Sequence, residues 1–102
     1  MKIEKIRNSN QRLTIELFDI SSKNYSFLSL LIAKKFNLVP LGNLINNFDE
    51  IFQTYTDTNK KYRINLEWDN WSGYIIVAKD TENEKLINEI YDWLLVKKLE
   101  FK

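Results

Sequence analysis

The sequence predicts an α+β domain. The expected form is a two-layer sandwich, with a mainly antiparallel sheet of four or five strands carrying two helices on one face, in the order β-β-α-β-β-β-α. Three observations lead there. "RLTIELFDI" alternates apolar and polar residues, as a half-buried strand does. "DTENEKLINEIYDWLLVKK" repeats apolar residues at three- and four-residue spacing, as an amphipathic helix does. "KYRINLEW" and "WSGYIIVAK" are strand-like runs on either side of an Asp-Asn pair, which reads as a hairpin.

Taken in chain order, "KIEKIR" is a weak first strand, and "NSNQ" supplies polar turn residues before the second strand. In that second strand Leu13, Ile15 and Leu17 share one face, against Arg12, Thr14 and Glu16 on the other. "SSKNYSFLSLLIAKKFN" offers Ser21 or Ser22 as caps. Apolar positions follow at Tyr25, Leu28, Leu31, Ile32 and Phe36, which predicts a helix ending near Asn37. Phe27 and Leu30 widen its apolar stripe, so this is the helix expected to lie deeper in the core.

"NLVPLGN" then reads as a break, since Pro40 resists helix continuation and Gly42 permits a turn. Leu44, Ile45, Phe48, Ile51, Phe52 and Tyr55 recur at helical spacing, but Asn46 and Asn47 are poor helix formers. The expectation is a loop or short turn, then a strand from about Glu50 to Thr56. The closing helix carries a capping box, Thr81 with Glu84, and a core stripe of Leu86, Ile87, Ile90, Trp93 and Leu94. Lys97 and Lys98 complement the negative end of its dipole.

In the hairpin, Asp69 and Asn70 both tolerate positive φ and are placed at the two central turn positions. That register sets Trp68 opposite Trp71, Leu66 opposite Gly73, Ile64 opposite Ile75 and Tyr62 opposite Val77, all on one face. Gly73 would then leave room for a helix to approach. The second face would carry Arg63, Asn65, Glu67, Ser72, Tyr74 and Ile76, joined by Phe52 and Thr54 from the preceding strand. Two helices cover only one side of such a sheet, so this second face is expected to be bare, a mixed surface suited to docking.

Composition narrows the function. One domain spanning residues 1–102 is expected. Apolar residues make up 44% of it, enough for a core without staples, so no disulfide is called for. With no cysteine and no histidine, Ser-His-Asp and Cys-His nucleophiles, thiolate or imidazole metal sites and the usual neutral-pH proton shuttle are all excluded. Two isolated glycines make no phosphate loop. Glu67 with Asp69, and Asp49 with Glu50, are the surviving carboxylate pairs, and no calcium loop or glycosidase pattern accompanies them. No catalytic residue, cofactor or metal is expected.

Fifteen basic residues against fourteen acidic ones leave +1, too little to steer the chain onto nucleic acid or an anionic membrane. "KKF", "KKYR" and "KKLEFK" do set lysines beside aromatics, but acidic residues offset them and no RNA-recognition strand signature is present. The apolar run "LLIA" is far short of a membrane span, and "MKIEKIRNSN" lacks a signal-peptide core, so the expected location is cytoplasmic.

The run "DEIFQTYTDTNKKYRINLEWDNWSGYIIVAKDTENEKLINEIYDWL" resembles a segment of small bacterial α+β proteins, some of which are immunity proteins that bind and neutralise a toxin made by the same cell. The resemblance covers about the C-terminal half, and "WDNWSG" is its sharpest element. It implies a protein partner, a cognate toxin, and transfers no set of functional residues. Many immunity proteins are acidic, whereas this chain is near neutral, so its toxin need not be a basic nuclease. The expected contact residues are Phe52, Arg63, Asn65, Glu67, Asp69, Trp71, Tyr74 and Ile76, with Tyr74 and Arg63 as anchors. A homodimer through the same face and a single-stranded nucleic-acid-binding domain are the alternatives.

Overall fold

The structure, a computed structural model, describes residues 2–47 and 49–97. One antiparallel sheet of six strands is backed by two helices. The chain runs β1 (Glu4–Arg7), β2 (Leu13–Leu17), α1 (Tyr25–Phe36), β3 (Leu38–Asn46), β4 (Glu50–Asp57), β5 (Arg63–Asp69), β6 (Gly73–Ala78) and α2 (Glu84–Lys97). The strands lie in the order β1-β2-β6-β5-β4-β3. The two-layer α+β expectation holds, but the sheet has one strand more than its upper limit, and the element order is β-β-α-β-β-β-β-α.

The additional strand is β3, where a break was expected. Pro40 is tolerated because β3 is an edge strand, where a missing N–H need not interrupt a ladder. Gly42 sits at φ 81°, inside the stretch where the β3–β4 register shifts between Leu41 and Ile45. The Gln53 side chain donates to the Gly42 carbonyl across that irregularity (2.8 Å). The strand expected from Glu50 to Thr56 is present as β4, running one residue further; Phe48 lies outside the described residues.

Leu13, Ile15, Leu17, Ile64, Leu66, Trp68, Tyr74 and Ile76 are buried on one side of the sheet, beneath the helices. α1 packs over β3, β4 and β5, and α2 over β2 and β6. α1 supplies Tyr25, Leu28 and Ile32, and α2 supplies Leu86, Ile87, Ile90 and Leu94. Phe36 and Trp93 join the two helices edge to face, with ring centroids 5.8 Å apart. Phe27 and Leu30 do not widen the buried stripe of α1: they are 54% and 64% exposed, and the stripe is set by Tyr25, Leu28, Ser29 and Ile32. It ends as expected, at Asn37 in the left-handed conformation.

The start of α2 departs from the expected capping box. A short 3-10 turn, Thr81–Asn83, precedes it, and the cap is Asp80, whose side chain accepts from the Glu82 N–H (3.0 Å). Glu84 instead forms a forked ion pair with Arg7 of β1 (2.6 and 3.0 Å). Lys5 donates to Asn88 (2.7 Å) and lies over the Tyr91 ring, so β1 is fastened to α2 by its two helix-facing cations. Lys98 lies outside the described residues.

Candidate functional site: the bare sheet flank

The β5–β6 hairpin decides which residues face away from the helices. Asp69 pairs with Gly73, so the loop is Asn70–Ser72, three residues where two were expected. Asp69 Oδ1 accepts from the N–H groups of Trp71 (2.9 Å) and Ser72 (2.6 Å), and Gly73 sits at φ 73°. A turn capped by a carboxylate and closed by a left-handed glycine is a common three-residue hairpin. The loop is longer and sits further along the chain than expected, so the partner of Leu66 is Ile76 where Gly73 was expected, a displacement of three positions. Trp68 pairs with Tyr74, Leu66 with Ile76 and Ile64 with Ala78.

Two predicted contact residues are therefore corrected. Tyr74 and Ile76 are fully buried beneath the helices, because a slip by an odd number of residues, here three, sends every side chain of a strand to the opposite face. Tyr74 packs against Tyr25 (centroids 5.6 Å apart), and its hydroxyl shares a hydrogen bond with Ser29 (2.8 Å). Burial raises the Tyr74 phenol well above its ordinary range. The Trp pair is split as well. Trp68 is buried and donates Nε1–H to the Ile20 carbonyl (2.9 Å), whereas Trp71 stands 80% exposed at the tip. Gly73 makes room for β2 backbone, not for a helix: a Cβ there would lie 2.5 Å from the Leu17 carbonyl oxygen.

The far side of the sheet is bare, as expected, and Phe52, Arg63, Asn65 and Glu67 do lie on it. Strand pairing orders its residues in rows. Glu4, Glu16, Ile75, Glu67, Phe52 and Ile45 are neighbours in one row. Ile6, Thr14, Val77, Asn65, Thr54 and Leu41 form the next. Arg63, Thr56 and Val39 continue into a third. Arg12 and Lys79 flank the same end, and the Lys79 N–H donates to the Arg63 carbonyl (3.2 Å). The flank is thus acidic towards the β5–β6 tip, neutral along its middle and basic at the opposite end.

A shallow groove of about 670 Å³ crosses this surface, lined by Asn8, Asn10, Arg12, Asn65, Glu67 and Lys79 among others. Its polar groups are held in place. Thr54 Oγ1 donates to Asn65 Oδ1 (2.8 Å), and Asn65 Nδ2 donates to Glu67 (3.0 Å). Burial raises the Glu67 carboxyl above its ordinary value, the Asn65 bond opposes that, and the nearby Glu50 and Asp69 raise it further. Glu16 is raised by burial, then by Glu4 and Asp69. The β1–β2 turn at one rim is fastened by Asn8, whose Oδ1 accepts from the N–H groups of Asn10 and Arg12 (both 2.9 Å).

The hairpin tip adds a rigid corner. Asn70 donates its backbone N–H to the Asp49 carbonyl (3.3 Å) and its side-chain N–H to Asp49 Oδ1 (2.7 Å), tying the tip to the β3–β4 loop. Trp71 is consequently displayed on fixed backbone beside Asp69. Among the described residues, no three carboxylates are grouped to hold a metal ion, and no helix is long and apolar enough to cross a membrane. Comparison with protein-family models, with characterised proteins and with solved structures finds no match.

Ile75, Val77 and Lys79 are flank residues that sequence reasoning did not place there, and Arg12 and Glu16, set on the polar face of their strand, were not joined to the contact surface. The signal that would have placed the β6 residues is Gly73: read as a left-handed hairpin glycine paired with Asp69, it shifts β6 by three residues and turns Ile75 and Val77 outward.

Proposed function

We propose that this chain is a small non-enzymatic protein-binding module of the cytoplasm, and most specifically an immunity protein that occludes a cognate bacterial toxin. The observation that carries the reading is the uncovered sheet flank, which mixes Phe52, Ile75 and Val77 with ordered charged groups and ends at the exposed Trp71. Interfaces draw their energy from a few aromatic and arginine anchors set among such mixed surroundings. Trp71 and Arg63 are the anchors, and Phe52, Asn65, Glu67 and Asp69 the supporting contacts; Tyr74 serves the core. The toxin as partner comes from the resemblance of the "WDNWSG" region, and the lack of histidine and cysteine favours occlusion over catalysis.

The test is co-purification from the native cell with a tagged full-length chain, followed by identification of the bound protein and of the product of the preceding reading frame. Arg63→Glu and Trp71→Ala should release that protein while leaving the melting temperature unchanged. If each variant loses binding and melting temperature together, the flank is structural and the reading fails.

A further inference from the structure

The charge order of the flank has a symmetry that no single row reveals. About the middle row, two strands, β2 and β5, carry opposite charges on opposite sides. In β2, Glu16 lies two residues beyond Thr14, and Arg12, immediately before the strand, two residues before it. In β5, Glu67 lies two residues beyond Asn65, and Arg63 two before it. The middle row itself, Ile6, Thr14, Val77, Asn65, Thr54 and Leu41, contains no charge.

Resting on the reading of the flank as a docking surface, we propose that it also receives a second copy of this chain, packed face to face about a two-fold axis that runs across the strands over the middle row. A two-fold interface brings every residue on the axis against itself, so a charged axis row would repel and a neutral one is required. The same rotation reverses strand direction while laying each strand over its own equivalent. Glu16 then meets Arg12 of the second copy, Glu67 meets Arg63 of the second copy, and each pair occurs twice. Beside them, Ile45 meets the second copy's Val39. A guanidinium delivered to Glu67 offsets the burial that already disfavours its charge.

The size bounds such pairing. Six strands at ~4.8 Å spacing span roughly 24 Å, and the seven residues of β5 at ~3.3 Å each span roughly 23 Å. Before side-chain relief is counted, that footprint is at most roughly 550 Å², about two-thirds of the ~800 Å² per partner of a standard interface. Stacked sheets align within about 30° of each other, so the central strands β5 and β6 overlap best. The second copy covers Arg63, Asn65 and Glu67, so it and the toxin occupy the flank in alternation, while Trp71, at the tip beyond the acidic row, stays at the margin.

Sedimentation velocity of the full chain across a concentration series, at low (~0.05 M) and high (~0.5 M) salt, tests this. A dimer weakened by salt is expected. Arg63→Glu and Glu67→Arg should each weaken it roughly tenfold or more, since both copies of the pair become like-charged. The combined Arg63→Glu/Glu67→Arg chain should recover the dimer, and mixing the two single variants should yield a heterodimer. Arg12→Glu and Glu16→Arg provide a second pair with the same logic, should either β5 variant fold poorly. A chain that stays monomeric throughout, or a dimer indifferent to every reversal, overturns the second copy as occupant. Neither result touches the proposed toxin, whose capture and loss on Arg63→Glu are read in the co-purification.

Discussion

Replacing Gly73 with alanine tests the register on which the whole surface depends. Gly73 and Gly42 both sit at positive φ, 73° and 81°. Alanine in that region costs about 1–2 kcal/mol, and both positions share this term along with the entropy lost from the unfolded chain. They differ in their surroundings. A Cβ at Gly42 meets nothing within 4 Å, whereas at Gly73 it meets Leu17 O at 2.5 Å, Phe18 O at 3.0 Å and Phe18 C at 3.1 Å. These are backbone atoms of the β2 end, so relief means moving a paired strand, an overpacking cost of about 1–3 kcal/mol. Gly73→Ala should therefore destabilise by about 2–5 kcal/mol, and Gly42→Ala by about 1–2. A domain of this size loses ~4–8 °C per kcal/mol. Thermal melts of the two variants beside the parent should show Gly73→Ala falling about 1.5–4 times as far as Gly42→Ala. Equal falls would mean that β2 does not approach Gly73. The β2–β6 pairing, and with it the outward placement of Ile75 and Val77, would then be wrong.

Other expectations follow from the same geometry. Tyr74→Phe should lower stability by about 1–3 kcal/mol, because it leaves the buried Ser29 hydroxyl without its 2.8 Å partner; chemical denaturation measures this, and a neutral outcome would mean that Tyr74 is not in the core. For Glu67 the folded pKa lies above the ordinary 4.5, so between those values the folded chain holds more protons than the unfolded one. Its contribution to stability accordingly falls as pH rises through that window. Glu67→Gln should flatten that part of the pH–stability curve, and an unchanged slope would contradict the desolvation of Glu67. Asp57 has the opposite sign. It accepts from the N–H groups of Lys61 (2.7 Å) and Tyr62 (2.9 Å), which hold its carboxyl below the usual range. Its contribution is present above pH 3.8 and is lost as pH falls through the lowered value, and Asp57→Asn should remove that acid-side loss in the same titration.

Much of the fold was legible because particular segments commit strongly to one face. β2 and β5 alternate apolar and polar residues, so burial can choose only one orientation, and Arg63, Asn65 and Glu67 were placed outward from sequence alone. α2 has a wide apolar stripe opposite charged positions, and its core residues Leu86, Ile87, Ile90 and Leu94 are those its periodicity names. The bare second flank follows from counting helices against the faces of one sheet.

The remaining features needed tertiary structure, for identifiable reasons. In β6, Tyr74 and Ile76 compete with Ile75 and Val77, and either parity would bury apolar side chains. The choice therefore fell to one carboxylate cap and one left-handed glycine in the turn, a difference of a single loop residue. β3 survives its proline and glycine only because it lies at the sheet edge, and sequence carries no mark of strand position. α1 is apolar on more faces than it can bury, so the sheet beneath it, and not its periodicity, selects which residues stay exposed. Which side chains can enter a core is a local property of the chain, but which of several apolar candidates does so is settled by where neighbouring strands happen to lie.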